Sequence, residues 1–256
     1  MEVKVTTEGR GMQGRTELLL GSDNLKRLQD ARVIIFGVGG VGSWCAEALV
    51  RSGICNLTIV DSDRISATNC NRQLMATSKT VGQVKVEVLR ERLHDINPAA
   101  NIIAIQKVYS AESAEEFRLA EYDYVVDAID SLKDKADLIL RVTALPRRTT
   151  LVSSMGAALR RDPFMIRKAE FWKVKGDPLA RALRKKFKNQ NVSPARKFQC
   201  VYSEELPMQN MGDQSLVEHE QCPGKAQING SLCHITASFG MALAGIIIND
   251  IVEDQN

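Results

Sequence analysis

Short apolar runs alternate with amphipathic stretches through the first 150 or so residues of the chain. Strands are predicted near 32–36, 56–61, 101–106, 123–128 and 149–154, separated by helical stretches near 41–52, 81–95, 112–120 and 131–145. Strands alternating with helices predict an α/β fold with a doubly wound, mainly parallel sheet, since each parallel pair needs a crossover long enough to hold a helix. Two later runs, 164–171 and 198–203, predict an antiparallel extension of that sheet before the final helix. Ile235 to Ile248 is mainly apolar but short for a membrane span and interrupted by Thr236 and Ser238. A buried terminal helix is therefore expected, with no integral membrane segment; peripheral membrane contact is the lesser alternative.

Length and composition narrow the organisation. With 256 residues, 44% of them hydrophobic, the chain can bury a substantial sheet core as one body spanning 1–256. No internal repeat or low-complexity stretch divides it. Glu2, Lys4, Glu8 and Arg10 deny the N-terminus the apolar core of a secretion signal, so a cytoplasmic protein is expected.

The candidate chemistry begins at a glycine loop, Gly37, Gly39, Gly40 and Gly42, which follows the apolar run Val33 to Phe36 and opens the amphipathic stretch Val41 to Arg51. Strand, glycine turn and helix is the Rossmann-like context of a phosphate site, in which backbone amides meet an anion at the positive end of a helix. The same loop also suits a tight turn packing a helix on a sheet. Asp61 ends the second apolar run, nineteen residues after Gly42, where a carboxylate can accept hydrogen bonds from ribose hydroxyls. Up to this point a nicotinamide dehydrogenase fits equally well.

The residues that follow favour a triphosphate. Asp63, Asn69, Asn71, Arg72 and Gln73 precede a helix carrying Lys85, supplying more phosphate donors than a dinucleotide's bridge requires. Arg72 offers a planar fork and Lys85 a point charge, both suited to stabilising a diphosphate leaving group. Taken singly, each also reads as a solvated surface charge. Asp130 follows the apolar run Tyr124 to Ile129 at the carboxyl edge of the sheet. There it could hold magnesium between phosphate oxygens or merely cap the helical stretch Ser131 to Leu145.

Asp61, Asp63, Asn69, Asn71, Arg72, Gln73 and Lys85, in this order after the glycine loop, resemble the family of ubiquitin-activating-like adenylating enzymes. The resemblance covers roughly residues 10–160 as an ATP-binding core and leaves roughly 161–256 as a basic, substrate-facing extension. It implies that the loop binds ATP, that Asp61 holds the ribose, and that Asp130 is the metal ligand for Mg2+. It also implies catalysis by Arg15, Arg72, Lys85 and Asp130. Arg15 matches an arginine that reaches the active site of a partner subunit, which implies a homodimer, although Arg10 lies close enough to compete for that role.

Cysteine spacing and later motifs point within the family. None of the six cysteines forms a C-x-x-C pair, and the isolated Cys200, Cys222 and Cys233 argue against the structural zinc of sulfur-carrier-activating members. Trp172 to Gln199 contains no cysteine, which removes the expected position of a thioester-forming nucleophile. Cys200 and Cys222 read as core or loop thiols. His94, His219 and His234 show neither metal nor triad spacing. Asp177, Pro178, Leu179, Ala180, Leu183 and Arg184, then Cys200 to Glu204, resemble the branch of tRNA threonylcarbamoyladenosine dehydratases. The glycine-bounded lead-in to the last helix, Gly230 to Gly240, is similar to that branch too.

Charge distribution supports a nucleic-acid substrate independently. The net charge is only +3, yet residues 147–197 hold fifteen Lys or Arg against Asp162, Glu170 and Asp177, a local balance of +12 that leaves −9 elsewhere. One basic face would attract a polyanion through phosphate neutralisation and counterion release. The bland alternative makes Arg181, Arg184, Lys185, Lys186 and Lys188 the solvated face of a helix capped by Asp177 and begun by Pro178. Phe171, Trp172, Phe187 and Phe198 flank this stretch, where one could stack on a base or all could anchor the helix to the core.

The resemblance implies an ATP-dependent dehydratase that adenylates the threonine carboxylate of threonylcarbamoyladenosine in tRNA and cyclises it. Adenylation of a small carrier protein's C-terminal carboxylate shares the same ATP site and stays open. So does docking of a sulfur-transfer protein. An idle scaffold that binds nucleotide or RNA without turnover is the reading from outside enzymology.

Overall fold

A computed structural model describes residues 10–145, 149–213 and 228–253. Seven strands form one sheet: β1 Arg32–Phe36, β2 Asn56–Val60, β3 Asn101–Ile105, β4 Tyr124–Asp127, β5 Thr150–Ser154, β6 Ile166–Glu170 and β7 Gln199–Ser203. Their order is β3-β2-β1-β4-β5-β7-β6. All neighbouring pairs are parallel except β6 with β7. The expected antiparallel extension is therefore β6 alone, because β7 returns beside β5 in the direction of the core strands.

Helices cover both faces, which explains why the central strands read as near-continuous apolar runs. In β1, Val33 and Ile35 face one core while Ile34 and Phe36 face the other, and all four are buried. The first core takes in α2 Ser22–Asp30, α3 Gly42–Ser52, α4 Lys85–Ile96 and α7 Cys233–Glu253. The second takes in α5 Leu132–Ala144 and α6 Pro178–Asn189. In it Phe36 meets Tyr109 and Phe117 edge-on, with ring centroids 4.9 and 5.0 Å apart, and Phe171 stacks on Phe198 at 5.0 Å. Each such buried ring contributes roughly 1.5–3 kcal/mol relative to exposure.

Several sequence expectations shift in the fold. The stretch 112–120 forms two 3-10 turns, Ala114–Phe117 and Leu119–Glu121, in place of an α-helix. Arg118, at φ 46, separates them in the left-handed region. Buried Ala114 and Phe117 stand three residues apart, the spacing that aligns on a 3-10 turn. Two N-terminal helices, α1 Arg10–Leu20 and α2, precede β1. α2 has a visible cue in Leu25 and Leu28, spaced to bury on one face.

The terminal helix α7 is longer than its apolar run and lies against α3. Ile235, Phe239, Leu243, Ile247 and Ile251, at helical spacing, are buried in the first core. Its length and apolar character are those of a core helix packed on a sheet protein as well as of a membrane span.

Candidate active site

The strand order reverses beside β1: β2 lies on one side and β4 on the other, and the crevice outside their carboxyl ends is where doubly wound sheets bind ligands. The glycine loop leaves β1 at this point. Gly37 has φ 84, and a Cβ there would stand 2.7 Å from the Ala128 carbonyl oxygen. A Cβ on Gly42 would stand 1.9 Å from the Gly37 carbonyl oxygen, so any side chain would wedge the loop off the helix. These two glycines are required by the protein's own packing. Gly39, by contrast, faces open space save for Gln73 Nε2 at 3.7 Å, and Gly40 lies against Thr236. Val41 gives α3 no side-chain cap, and of the first-turn amides that of Ser43 bonds the Gly39 carbonyl at 3.2 Å.

Asp61 stands one residue past β2 and is already engaged. Its Oδ2 accepts a bond from the Val38 amide at 2.9 Å and its Oδ1 one from the Asp63 amide at 2.9 Å. Burial pushes its carboxyl above the usual range, opposed by the charge of Lys85 and by these amides. Lys85, the first residue of α4 and almost fully buried, donates through Nζ to Asp63 Oδ2 at 2.8 Å. Its own amide bonds the Asp63 carbonyl, so the crossover after β2 folds back to bring the two together.

Between them, residues 66–73 form a compact turn. Asn69 is buried and its Oδ1 accepts from the Ser66 amide in a reciprocal capping box, a structural task for this side chain. Asn71 Nδ2 donates to the Ser231 carbonyl at 2.9 Å, tying the turn to the approach to α7. Arg72 Nη1 donates to the Thr68 carbonyl and Asn71 Oδ1, both at 2.9 Å. Gln73 is buried, and its Oε1 has no hydrogen-bond partner among the described residues.

Asp130 lies three residues beyond β4 in an exposed loop, and the cap of α5 is Ser131, whose side chain accepts from the Asp134 amide. The helix-capping alternative for Asp130 is thereby set aside. The loop is held from below: buried Lys135 donates to Asp127 Oδ2 at 2.8 Å and to the Ile129 carbonyl at 3.1 Å, while Ser153 Oγ donates to Asp127 Oδ2. Asp127 Oδ1 accepts from the Ile129 amide. Among the described residues no cluster of three His, Cys, Asp or Glu side chains could hold a metal by itself. Asp130, an exposed carboxylate in the loop after β4, is a donor of the kind magnesium accepts, since that ion favours one or two protein carboxylates plus phosphate and water oxygens.

Thus the turn after β1, Asp61, Asp63, Lys85 and the segment Asn69 to Gln73 gather at one edge, with Asp130 beside them. Arg15 does not join them within the chain; it is exposed on α1, which packs on α2 and α3. Sequence reasoning missed Asp127 and Lys135, whose spacing of eight residues carries no motif, and Thr236, which meets the loop only through tertiary packing.

The basic stretch divides. Arg184 donates to the Phe171 and Val174 carbonyls, and Arg196 to the Val142, Thr143 and Thr149 carbonyls, so both are structural. Arg160 is buried 3.7 Å from Asp177 Oδ2, and its Nε and Nη1 have no hydrogen-bond partner among the described residues; burial pushes its guanidinium below the ordinary value, with Asp177 and Glu205 opposing. Lys168, Lys173, Lys175, Arg181, Lys185, Lys188 and Lys197 are exposed. Phe171, Phe187 and Phe198 are core residues, leaving Trp172 as the exposed ring of the four. Asp177 does cap α6, with Pro178 as its first residue. Cys200 is buried and its thiol is raised by desolvation. Arg147, Arg148, His219 and Cys222 lie outside the described residues.

A glycine loop at the switch point of a parallel sheet, backed by clustered acid and basic side chains, defines a nucleotide-binding α/β protein, and the chain belongs to the ThiF family, whose model matches residues 14–250. It is similar to the tRNA threonylcarbamoyladenosine dehydratase of Bacillus subtilis, 36% identical over 94% of each chain. The Escherichia coli protein of that name is 34% identical over 94% of this chain and 93% of its own. The crystal structure of the E. coli dehydratase in complex with AMP superposes with a TM-score of 0.83 at 31% identity, covering 99% of this chain and 98% of that one; the ATP complex gives 0.82 at 32%, covering 98% of each. The E. coli molybdopterin-synthase adenylyltransferase is 37% identical over 54% of this chain and 53% of its own.

Proposed function

We propose that this chain is an ATP-dependent dehydratase that adenylates the threonine carboxylate of N6-threonylcarbamoyladenosine in tRNA and lets the group cyclise. The observation that carries this reading is the extent of the likeness. Similarity to dehydratases runs over 94% of the chain, against 54% for the molybdopterin-synthase adenylyltransferase, on a fold whose dehydratase relative was crystallised with ATP and with AMP.

The chemistry follows from the unreactive nature of a carboxylate. One of its oxygens attacks the α-phosphorus of ATP and pyrophosphate leaves, giving an acyl adenylate. A nitrogen or oxygen of the same modified nucleoside then attacks the acyl carbon, a proton is lost, and AMP departs with the former carboxylate oxygen. The nucleoside has lost the elements of water, and intramolecular geometry makes the closure fast. No covalent enzyme intermediate is needed.

In this reading the amides of Gly39 and Gly40 receive phosphate oxygens and Asp61 orients the ribose. Arg72 and Lys85 stabilise charge on the departing diphosphate, Lys85 exchanging its bond with Asp63 for one to phosphate. Asp130 would hold Mg2+, which would supply neutralisation of the triphosphate's charge. Arg15 of a second copy would complete the site in a homodimer. Roughly 10–160 then acts as the ATP core, and 161–256 presents exposed lysines and arginines to tRNA in the cytoplasm.

Incubating purified protein with ATP and modified tRNA should shift the nucleoside mass down by one water and yield AMP. An unchanged nucleoside, with pyrophosphate exchange stimulated by a carrier ending in Gly-Gly, would replace this substrate with a carrier protein.

A further inference from the structure

Two residues just inside α3, neither of which a phosphate-loop pattern singles out, join the glycine loop to the segment that carries Arg72. Ser43 is fully buried. Its hydroxyl donates to the Gly39 carbonyl at 2.6 Å and accepts from the Leu74 amide at 3.3 Å, so one oxygen spans both segments. Trp44 reaches the same segment from the next position, its indole Nε1 donating to the Arg72 carbonyl at 3.1 Å.

The helix turn that presents them is itself held from behind. A Cβ on Gly240 of α7 would stand 2.4 Å from the Val41 carbonyl oxygen, 2.8 Å from the Cys45 amide nitrogen and 2.8 Å from Trp44 Cβ. This close approach leaves α3 little room to shift. Arg72, meanwhile, sits in a turn whose other anchors are local: its amide bonds the Asn69 carbonyl and its Nη1 bonds Thr68 and Asn71. Among the described residues, Ser43 and Trp44 supply the side-chain hydrogen bonds that join this turn to α3 and the glycine loop, beside Asn71 on Ser231 and the burial of Met75 and Ala76 in the first core.

We infer that Ser43 and Trp44 are positioning residues that hold the Arg72 to Leu74 backbone at a set height over the glycine loop, so that the Arg72 guanidinium meets the β and γ phosphates of the nucleotide seated there. The inference rests on the proposed ATP site but not on the identity of the second substrate. A guanidinium fixed to the outer phosphates strengthens ATP binding over AMP, whereas a merely structural tryptophan affects both nucleotides alike or only the folding temperature.

The test is a double-mutant cycle on nucleotide affinity, read by calorimetry with ATP and with AMP. Trp44→Phe should lower the ATP-over-AMP affinity ratio about fivefold, the scale of one lost neutral hydrogen bond, with AMP affinity and Tm unchanged. In an Arg72→Ala background the same change should leave the ratio unaltered, since coupled residues are non-additive. Ser43→Ala, a smaller perturbation, should show the same coupling to Arg72 should the tryptophan variant fold poorly. Equal effects in both backgrounds, or equal losses of ATP and AMP, would overturn the positioning role. A wild-type chain that binds ATP but never acts on modified tRNA would remove the substrate assignment and leave this cycle standing; one that binds no ATP would remove both.

Discussion

Lys85 and Asp63 form an ion pair of unequal partners: the ammonium is 6% exposed, the carboxylate 63%, and they meet at 2.8 Å. The lysine is a buried charge whose counter-ion is open to solvent. An incoming phosphate is therefore offered a cation already aligned by the start of α4. Lys85→Ala should lower the rate of ATP–pyrophosphate exchange by about 100-fold, the scale of losing one preorganised donor to a developing charge. Asp63→Asn should change it far less, since phosphate replaces the carboxylate in the loaded state. Comparable losses in the two variants would show that the pair is purely structural.

The glycines separate into two groups. Gly42→Ala drives a methyl into the Gly37 carbonyl and should unfold the loop, lowering Tm and abolishing ATP binding together. Gly14→Ala, in α1 with nothing within 4 Å, should raise stability by up to about 1 kcal/mol through helix propensity. Thermal unfolding of both variants checks the contrast.

Glu47 bridges two helices. Desolvation raises its carboxyl, but bonds from Arg92 Nε at 2.6 Å and Arg51 Nε at 2.8 Å outweigh this and leave it below the ordinary 4.5. A depressed carboxyl stabilises the fold above its unfolded value and loses that contribution as pH falls through its folded value. The Tm difference between wild type and Glu47→Gln should therefore be largest near neutral pH and shrink below about pH 4.5, the reference from which this group is lowered. Parallel Tm curves down to pH 3 would assign the stabilisation elsewhere.

Asp177 and Arg160 form a buried pair with opposite expectations. Asp177 accepts from the Ala180 amide at 2.8 Å and the Gly156 amide at 3.1 Å, so it caps α6 and ties it to the loop after β5. Asp177→Ala should cost about 3–5 kcal/mol, because it removes both bonds and strands a buried guanidinium. Arg160→Met should cost less than Asp177→Ala, since the carboxylate left behind keeps its bonds from the Ala180 and Gly156 amides, and two of the guanidinium nitrogens have no hydrogen-bond partner among the described residues. Denaturant unfolding of the two variants separates the roles.

Much of this architecture could be read from local patterning, and the reasons are physical. Val33 to Phe36 and Leu57 to Val60 announce buried strands because both faces of a parallel sheet are covered, and the glycines announce a turn because no side chain fits at Gly37 or Gly42. The amino-acid sequence alone therefore determined the sheet's parallel core, the glycine turn after β1 and the pattern of polar residues from Asp61 to Lys85 that the fold gathers beside it. It could not determine which charges are spent internally, because Arg184 and Arg196 look like their solvated neighbours until the chain folds carbonyl groups against them. Nor could it settle the turns at 112–120, the parallel course of β7, or the contacts of Ser43, Trp44 and Thr236 at the glycine loop. Those depend on segments as far apart as Gly40 and Thr236 arriving within van der Waals reach, and only tertiary packing sets such distances.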